Sequence, residues 1–272
     1  MTLHEKLENL KNNLLSMERL AVAFSGGVDS TFLLQAASGV LKERAIAIIV
    51  RSSVFPEREY SEATAFAEQL KIKLITIDFD ELKVAGFSDN PADRCYLCKK
   101  ALFSLIKTAA MENGIPSVAD GSNLDDTGDY RPGMAALKEL GIVSPLKDAG
   151  LTKADIRALS REMHLSVWDK PSFACLATRS PYGQIITKEK LAAVGRAEQF
   201  LMDQGFRQVR VRIHGDVARI EVPAEDRVRI LEENLAEKTY EAFRELGFQY
   251  AALDLLGYRT GSMNEPLPEV RR

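Results

Sequence analysis

The sequence predicts an α/β protein in which a parallel sheet is flanked by helices, with a smaller C-terminal α+β domain. Three observations support this class. Strand-like and helical segments alternate through residue 184, as expected of a parallel sheet covered by helices. A glycine pair follows the first strand and opens a helix. Beyond that point the alternation gives way to a hairpin pattern. We therefore predict one domain at residues 1–184 and a second at 185–272.

The elements of the first domain are predicted from the spacing of apolar residues. Leucines at positions 3, 7, 10, 14 and 15 have helical spacing and predict an N-terminal helix over 3–16. A short apolar strand over 20–24 precedes the glycine pair. The other predicted strands are 45–50, 72–77, 117–121 and 142–145, and the other predicted helices are 56–70, 99–111, 132–140 and 152–163.

The second domain is predicted from a hairpin. Polar and apolar residues alternate over 208–213 and again over 217–222. The intervening His214-Gly215-Asp216 predicts a turn between two strands. Two helical stretches and a final strand near 250–255 follow. This arrangement predicts a small α+β domain.

The composition excludes several classes of protein. The 272 residues are 46% hydrophobic and 28% charged, with a net charge of −3, which argues against nonspecific nucleic-acid binding. No apolar run approaches the roughly 20 residues of a membrane span. The N-terminus lacks the apolar stretch of a signal peptide, and three cysteines do not make a secreted disulfide framework. We expect a cytoplasmic protein with no membrane or nucleic-acid partner.

A polar loop after the first strand is the strongest functional signal. It reads Ser25-Gly26-Gly27-Val28-Asp29-Ser30. Paired glycines let the backbone approach a ligand closely, and the N-terminus of the following helix favours an anion. The serines add hydroxyl donors, and Asp29 is a candidate Mg²⁺ ligand. Neither the P-loop lysine nor the dinucleotide fingerprint is present. The loop therefore predicts a phosphate site of another kind, the alternative being an ordinary strand–turn–helix junction.

This loop resembles the S-G-G-x-D-S loop of the PP-loop ATP pyrophosphatases. The resemblance implies an adenine nucleotide α-hydrolase-like fold, the use of ATP with Mg²⁺, and release of AMP and pyrophosphate. It also implies ATP contacts after neighbouring strands. The predicted ATP-binding residues are Ser25, Gly26, Gly27, Asp29, Ser30, Ser52 and Gly121, with Asp29 also predicted to be catalytic.

Three cysteines carry a second chemical signal. Cys95 and Cys98 stand in Cys-Tyr-Leu-Cys and share one face if a helix begins near Pro91. Cys175 stands in Phe-Ala-Cys-Leu-Ala-Thr-Arg. From the residues alone several interpretations stay open: inert buried thiols, a redox pair, a zinc site without a nearby histidine, or three ligands of a [4Fe–4S] cluster.

Further motifs extend the resemblance over nearly the whole chain. They are Asp120-Gly121-Ser122-Asn123, Asp129-Tyr130-Arg131-Pro132-Gly133, Pro181-Tyr182-Gly183, residues 209–223 and Gly257-Tyr258-Arg259. Together with the loop, they resemble the LarE family of ATP-dependent sulfur transferases in nickel-pincer nucleotide biosynthesis. The resemblance implies that carboxylates of pyridinium-3,5-biscarboxylic acid mononucleotide become acyl-adenylates and then thiocarboxylates. It also implies a homohexamer, a second domain that serves substrate binding or oligomerisation, and a sulfur donor that the sequence does not identify.

The cysteines acquire a role from this resemblance. In some members one cysteine gives up its sulfur, and Cys175 matches that cysteine. Because Cys95 and Cys98 are also present, the chain resembles the cluster-bearing members. We therefore predict Cys95, Cys98 and Cys175 as catalytic ligands of a [4Fe–4S] cluster through which sulfur is delivered.

Arginines of the predicted hairpin form a candidate phosphate site. Arg210 and Arg212 are two residues apart on a strand and share a face, and guanidinium groups suit a phosphate monoester. The resemblance adds Arg259, and Glu221 on the partner strand either orients an arginine or contacts substrate. The alternatives are a solvated charged face and a surface for the tRNA backbone.

Three other functions compete with sulfur transfer to a nucleotide. A PP-loop tRNA thiolase would use the same ATP chemistry and cysteines, but it usually needs a basic surface. An amide ligase of the NAD or GMP synthase type would leave the cysteines unused. A regulator without turnover would bind ATP but release no pyrophosphate.

Overall fold

A computed structural model describes residues 1–127 and 132–265, and the packing of the chain divides it into two units. The first unit comprises Met1–Asp80 and Asp93–Phe173, and the second comprises Glu81–Ala92 and the chain from Ala174 onward. Residues 174–184 therefore pack with the second unit. That the chain separates into independent domains after residue 184 stays a prediction.

The first unit is a parallel sheet with helices between its strands. The sheet order is β3-β2-β1-β4, and every one of these pairings is parallel. Its elements are α1 (Leu3–Leu15), β1 (Leu20–Phe24), α2 (Val28–Leu41), β2 (Ala45–Arg51), α3 (Glu57–Gln69), β3 (Lys73–Asp78), α4 (Arg94–Glu112), β4 (Ser117–Ala119), α5 (Gly133–Glu139), α6 (Pro145–Asp148) and α7 (Lys153–Glu162). The predicted α/β class is confirmed.

The predicted strand over 142–145 is wrong. The structure has one isolated parallel bridge there, between Ala119 and Val143, and α6 begins at Pro145. Proline has no N–H to give to a sheet, and its fixed φ suits the first turn of a helix. The helix predicted over 99–111 is part of the longer α4, whose first residue is Arg94.

Both faces of the sheet are covered by apolar side chains. Leu20, Val22 and Phe24 of β1 pack with residues of α1 and α2 on one face. Ala21 packs with Phe103 and other residues of α4 on the other. Because β1 lies between β2 and β4 and is buried on both faces, it fixes the position of the loop that follows it.

The second unit contains a three-stranded mixed sheet. The predicted hairpin is present: β5 and β6 pair antiparallel, and β7 pairs with β6 in parallel. Its helices and strands are α8 (Lys188–Asp203), β5 (Arg210–His214), β6 (Val217–Glu221), α9 (Arg227–Ile230), α10 (Glu233–Glu245) and β7 (Tyr250–Leu253). Among all described helices, none combines the length and apolarity that crossing a membrane requires. Asp129, Tyr130 and Arg131, which carry part of the resemblance, lie outside the described residues.

Candidate active site

The loop from Ser25 to Gly27 joins β1 to α2 and is tightly enclosed on one side. Gly26 has a φ of 73°, and a Cβ there would lie 2.8 Å from the Cβ of Ala63. Only glycine fits that position without displacing α3. Gly27 caps α2 without a side-chain hydrogen bond. The first N–H groups of this helix are therefore available to an anion.

The hydroxyl groups of Ser25 and Ser30 contact each other within the loop. The hydroxyl groups of Ser25 and Ser30 lie 3.1 Å apart, and the Ser30 hydroxyl also donates to the carbonyl of Gly27 at 3.2 Å. Gly121, just beyond β4, approaches the same turn, since a Cβ there would lie 3.0 Å from the backbone nitrogen of Ser30. Ser52 follows β2, where its hydroxyl accepts a hydrogen bond from the N–H of Val54. The structure thus brings Gly121 to the loop.

Asp29 has a partner that the sequence did not suggest. Its Oδ2 lies 2.5 Å from the Nζ of Lys153, the first residue of α7. The other carboxylate oxygen, Oδ1, is buried and accepts no hydrogen bond. Burial raises the pKa of Asp29 above its usual value, and the charge of Lys153 opposes this rise only in part. An unpartnered carboxylate oxygen beside an open helix N-terminus fits a Mg²⁺ ion that accompanies phosphate.

The capping box of α7 fixes the backbone at Lys153. The Thr152 hydroxyl accepts from the N–H of Asp155, and the Asp155 carboxylate accepts from the N–H of Thr152. Asp125 and Asp126 also accept from backbone N–H groups, those of Lys153 and Asn123. Both carboxylates therefore hold backbone N–H groups in this structure.

A second lysine, Lys170, contacts the backbone of the loop at Gly26. The Nζ of Lys170 lies 2.8 Å from carboxylate oxygens of both Glu59 and Glu62 on α3. It also donates to the carbonyl of Gly26 at 3.4 Å. The backbone at Lys170 is held in turn by Arg157, whose guanidinium donates to its carbonyl at 2.7 Å. Lys170 thereby links the nucleotide loop to α3 and α7.

The three cysteines are divided between the two units of the chain. Cys95 is exposed in the first turn of α4, and Cys98 follows one turn later on the same face. Cys175 is partly buried in the second unit. Over residues 1–127 and 132–265, no group of three or more His, Cys, Asp and Glu side chains is arranged to hold a metal ion. Thiolates are the donors that hold iron–sulfur clusters, so the chemistry of these residues fits such a group.

An arginine organises the backbone around Cys175. Arg179 is buried and forms a two-pronged ion pair with Glu198 of α8, at 2.7 and 2.9 Å. Its Nη1 donates to the carbonyl groups of Ala174 and Cys175. Glu198 also accepts from the N–H of Val211 in β5. The buried ion pair between Arg179 and Glu198 therefore links the backbone at Cys175 to β5, the strand that carries Arg210 and Arg212.

Arg212 is nearly saturated with hydrogen bonds. Its Nε and Nη2 donate to the two oxygens of the fully buried Glu221 carboxylate, at 2.9 and 3.0 Å. Its remaining nitrogen donors reach the carbonyl of Thr178 and the hydroxyl of Ser262, each at 2.8 Å. Glu221 thus orients Arg212, one of the two roles that the sequence left open for it.

The other predicted arginines lie on the same part of the second unit. Arg210 is buried above the ring of Tyr258, and burial, followed by the charge of Arg179, lowers its pKa to about 10. Arg259 contacts Asp254 at 3.2 Å and Glu265 at 3.0 Å. Burial and then the charges of Arg219 and Arg212 lower the pKa of His214. The local charge is therefore positive, as an anion site requires.

The site defines the class of protein, and comparison with known proteins defines the family. The loop and the parallel sheet are those of a PP-loop protein, and residues 3–104 match the NAD synthase family. The chain is 37% identical to the pyridinium-3,5-bisthiocarboxylic acid mononucleotide synthase of Lactiplantibacillus plantarum, over 99% of this chain and 98% of that protein. It therefore belongs to the family of that synthase, the LarE family, and the resemblance is confirmed.

Two further relatives cover the chain to a similar extent. The uncharacterized protein slr1717 of Synechocystis is 41% identical, over 97% of this chain and 99% of its own length. The uncharacterized protein MJ0830 of Methanocaldococcus jannaschii is 30% identical, over 96% of this chain and 100% of its own length. These matches include the second unit as well as the nucleotide loop.

Proposed function

We propose that this protein is an ATP-dependent sulfur transferase that makes pyridinium-3,5-bisthiocarboxylic acid mononucleotide from the corresponding biscarboxylic acid. The observation that carries the proposal is the coexistence of two sites in one chain. The first unit has an anion-binding loop with an unpartnered buried carboxylate oxygen at Asp29. The second has a cysteine fastened to a cluster of arginines. The full-length match to the L. plantarum synthase supports the same function.

The first unit would activate the substrate. A carboxylate oxygen is a poor leaving group, so its replacement by sulfur needs prior activation. The substrate carboxylate attacks the α-phosphorus of ATP, which forms an acyl-adenylate and releases pyrophosphate. The N-terminus of α2 and the serine hydroxyls would hold the departing pyrophosphate. When bound, Mg²⁺ would neutralise phosphate charge, and Asp29 is its proposed ligand.

Lys153 is part of this proposal. In the structure its ammonium group neutralises Asp29. A metal ion on Oδ1 would share the charge of this carboxylate with Lys153 on Oδ2. The weaker ion pair would leave the ammonium group available to a phosphate oxygen. Lys153 would then contribute charge to pyrophosphate departure.

The second unit would bind the substrate phosphate and deliver sulfur. Arg210, Arg212 and Arg259 are the proposed phosphate residues, with Glu221 as the orienting group. A sulfur nucleophile attacks the acyl carbon and AMP leaves with the bonding electron pair. Cys175 is proposed to hold the sulfur source beside the substrate at that step, because its backbone is tied to β5 through Arg179 and Glu198.

The proposed source of sulfur is a [4Fe–4S] cluster with Cys95, Cys98 and Cys175 as ligands, supplied by a separate sulfur donor. The three thiolates would hold the cluster, which would supply sulfur for the reaction. No step of the reaction is assigned to the cluster. The hexamer implied by the resemblance likewise stays a prediction.

The function is tested by supplying anaerobically purified protein with ATP, Mg²⁺, sulfide and pyridinium-3,5-biscarboxylic acid mononucleotide. We expect pyrophosphate and AMP release together with a product in which sulfur replaces carboxylate oxygen, detected by mass spectrometry. Pyrophosphate release that is independent of this substrate would contradict the proposal. The Lys153→Gln variant should lose at least about tenfold in pyrophosphate release, the scale of one charge-assisted contact.

The sulfur source is tested by the iron and acid-labile sulfide content of the same preparation. Near-equal iron and sulfide, lost in the Cys95→Ala, Cys98→Ala and Cys175→Ala variants, would support the cluster. Protein without iron that becomes lighter by one H₂S at Cys175 during turnover would instead make that cysteine a single-use sulfur source.

A further inference from the structure

A fourth arginine faces the predicted phosphate residues, and the sequence did not single it out. Arg219 on β6 stands directly opposite Arg212 on β5 in the antiparallel register. Such positions place side chains on the same face, within about 5 Å at Cβ. Two cations placed this way repel each other. Here both approach Oε1 of Glu221, Arg212 through Nε at 2.9 Å and Arg219 through Nη2 at 2.8 Å.

The carboxylates around Arg219 do not balance the cations. Within the described part of the second unit, ion pairs with Glu198, Glu221 or Asp254 are formed by Arg179, Arg212, Arg219 and Arg259. Arg210 is a fifth cation, whose pKa is affected by burial and then by the charges of Arg179 and Glu198. The three carboxylates are buried, and the exposed Glu265 pairs with Arg259. Each buried carboxylate is shared or already fully used. Burial lowers the pKa of His214 first, and the charges of Arg219 and Arg212 lower it further.

Arg219 is better placed than Arg212 to accept another anion. Arg212 is 10% exposed in its side chain and donates to four oxygen atoms. The side chain of Arg219 is 33% exposed, and its Nε is buried without a hydrogen-bond partner. Its contact with Asp254 is long, at 3.4 Å. A ligand oxygen would satisfy a donor that the protein leaves unpaired.

We propose that Arg219 is a substrate-binding residue that recognises the phosphate of the mononucleotide and so distinguishes nucleotide from nucleoside. The inference rests on the proposed function, because that function supplies the phosphate monoester. Arg219 donates to the phosphate oxygens beside Arg210, while Glu221 keeps Arg212 and Arg219 from separating. Glu221 thus occupies Nη2 of Arg219, and the phosphate would use another nitrogen of the same guanidinium group.

The test compares two ligands that differ only in the phosphate. The dissociation constants of nicotinic acid mononucleotide and nicotinic acid riboside are measured by calorimetry for the full-length protein at fixed ionic strength. The wild-type protein should bind the mononucleotide at least tenfold more tightly. Arg219→Gln should weaken mononucleotide binding about tenfold or more and change nucleoside binding less than about twofold. Arg219→Lys should bind the mononucleotide with an affinity between those of the wild type and Arg219→Gln, because lysine keeps the charge but lacks the paired planar donors of a guanidinium group.

Controls separate this role from folding and from the proposed function. Arg196→Gln removes the same charge at an exposed position of α8 and should leave both dissociation constants unchanged. Unchanged ATP affinity shows that the variants are folded, and Arg219→Lys carries the test if Arg219→Gln does not fold. A wild-type preference that survives in both Arg219 variants overturns the role of Arg219 alone. A wild-type protein with no preference overturns the proposed substrate class, and the role of Arg219 with it.

Discussion

At the scale of single residues, the buried surroundings of Asp29 disfavour its ionised form, which is the form proposed to bind Mg²⁺. Burial raises its pKa from the usual 3.8, and the nearby charge of Asp126 adds to this. Between the usual and the raised value, the folded protein holds a proton that the unfolded chain has released. Stability therefore falls as the pH rises through that window. The ionised carboxylate is stabilised again when a cation binds it.

This reasoning predicts opposite effects of Asp29→Asn on stability and activity. Asparagine resembles the neutral acid and does not ionise, so the melting temperature at pH 7 should equal or exceed that of the wild type. Pyrophosphate release should fall at least about 100-fold, the scale of losing a group that stabilises developing charge. Calorimetry and a pyrophosphate assay measure the two effects. A clear loss of stability would mean that the ion pair with Lys153 outweighs burial.

At the scale of elements, two glycines close in sequence make different demands on the chain. Gly26 has a left-handed φ of 73° and touches α3. Gly39 lies within α2, and a Cβ there would meet no atom within 4 Å. The first glycine is required by the turn, whereas the second only weakens a helix.

Alanine at these two positions should therefore change stability in opposite directions. Gly26→Ala should destabilise the protein by about 1–3 kcal/mol, through strain at positive φ and contact with Ala63. It should also weaken ATP binding, since the loop must shift. Gly39→Ala should stabilise the protein by about 0.5–1 kcal/mol and leave ATP binding unchanged. Denaturant unfolding and nucleotide titration test both, and a Gly26→Ala variant with normal ATP affinity would contradict the assigned role of the loop.

The same scale shows which features a sequence reveals. The apolar periods located β1, β2 and the β5–β6 hairpin, because those patterns reflect burial on one or both faces. They misplaced the segment near Val143, where Pro145 starts a helix after a single bridge. Lys153 and Lys170 escaped detection because their contacts with the loop span 124 and 144 residues of sequence. Only the topology of the sheet brings such distant side chains together. The contacts of Arg219 with Glu221 and Asp254 were missed for a different reason. A single arginine on a strand has the same sequence pattern as a solvated surface charge.

At the scale of the whole molecule, the second unit is built from two separate stretches of chain. Asn90, on the stretch Glu81–Ala92, is fully buried and donates to the carbonyl groups of Ser180 and Pro181 at 3.1 and 2.7 Å. Gly183 returns a hydrogen bond to the carbonyl of Asn90. The Pro-Tyr-Gly motif at 181–183 is thus held by residues nearly a hundred positions earlier.

This construction predicts that a fragment of residues 185–272 does not fold as a stable domain. The fragment lacks the stretch 81–92 and the segment 174–184, and with the latter goes Arg179, the buried partner of Glu198. A buried carboxylate without its cation costs about 3–5 kcal/mol, which is a large part of the stability of a domain this small. Circular dichroism and thermal melting should show no cooperative transition. Glu198→Leu in the same fragment serves as the matched control, because it removes the unpaired charge and should restore part of the helical signal. A fragment that melts cooperatively without that change would support independent domains divided at residue 184.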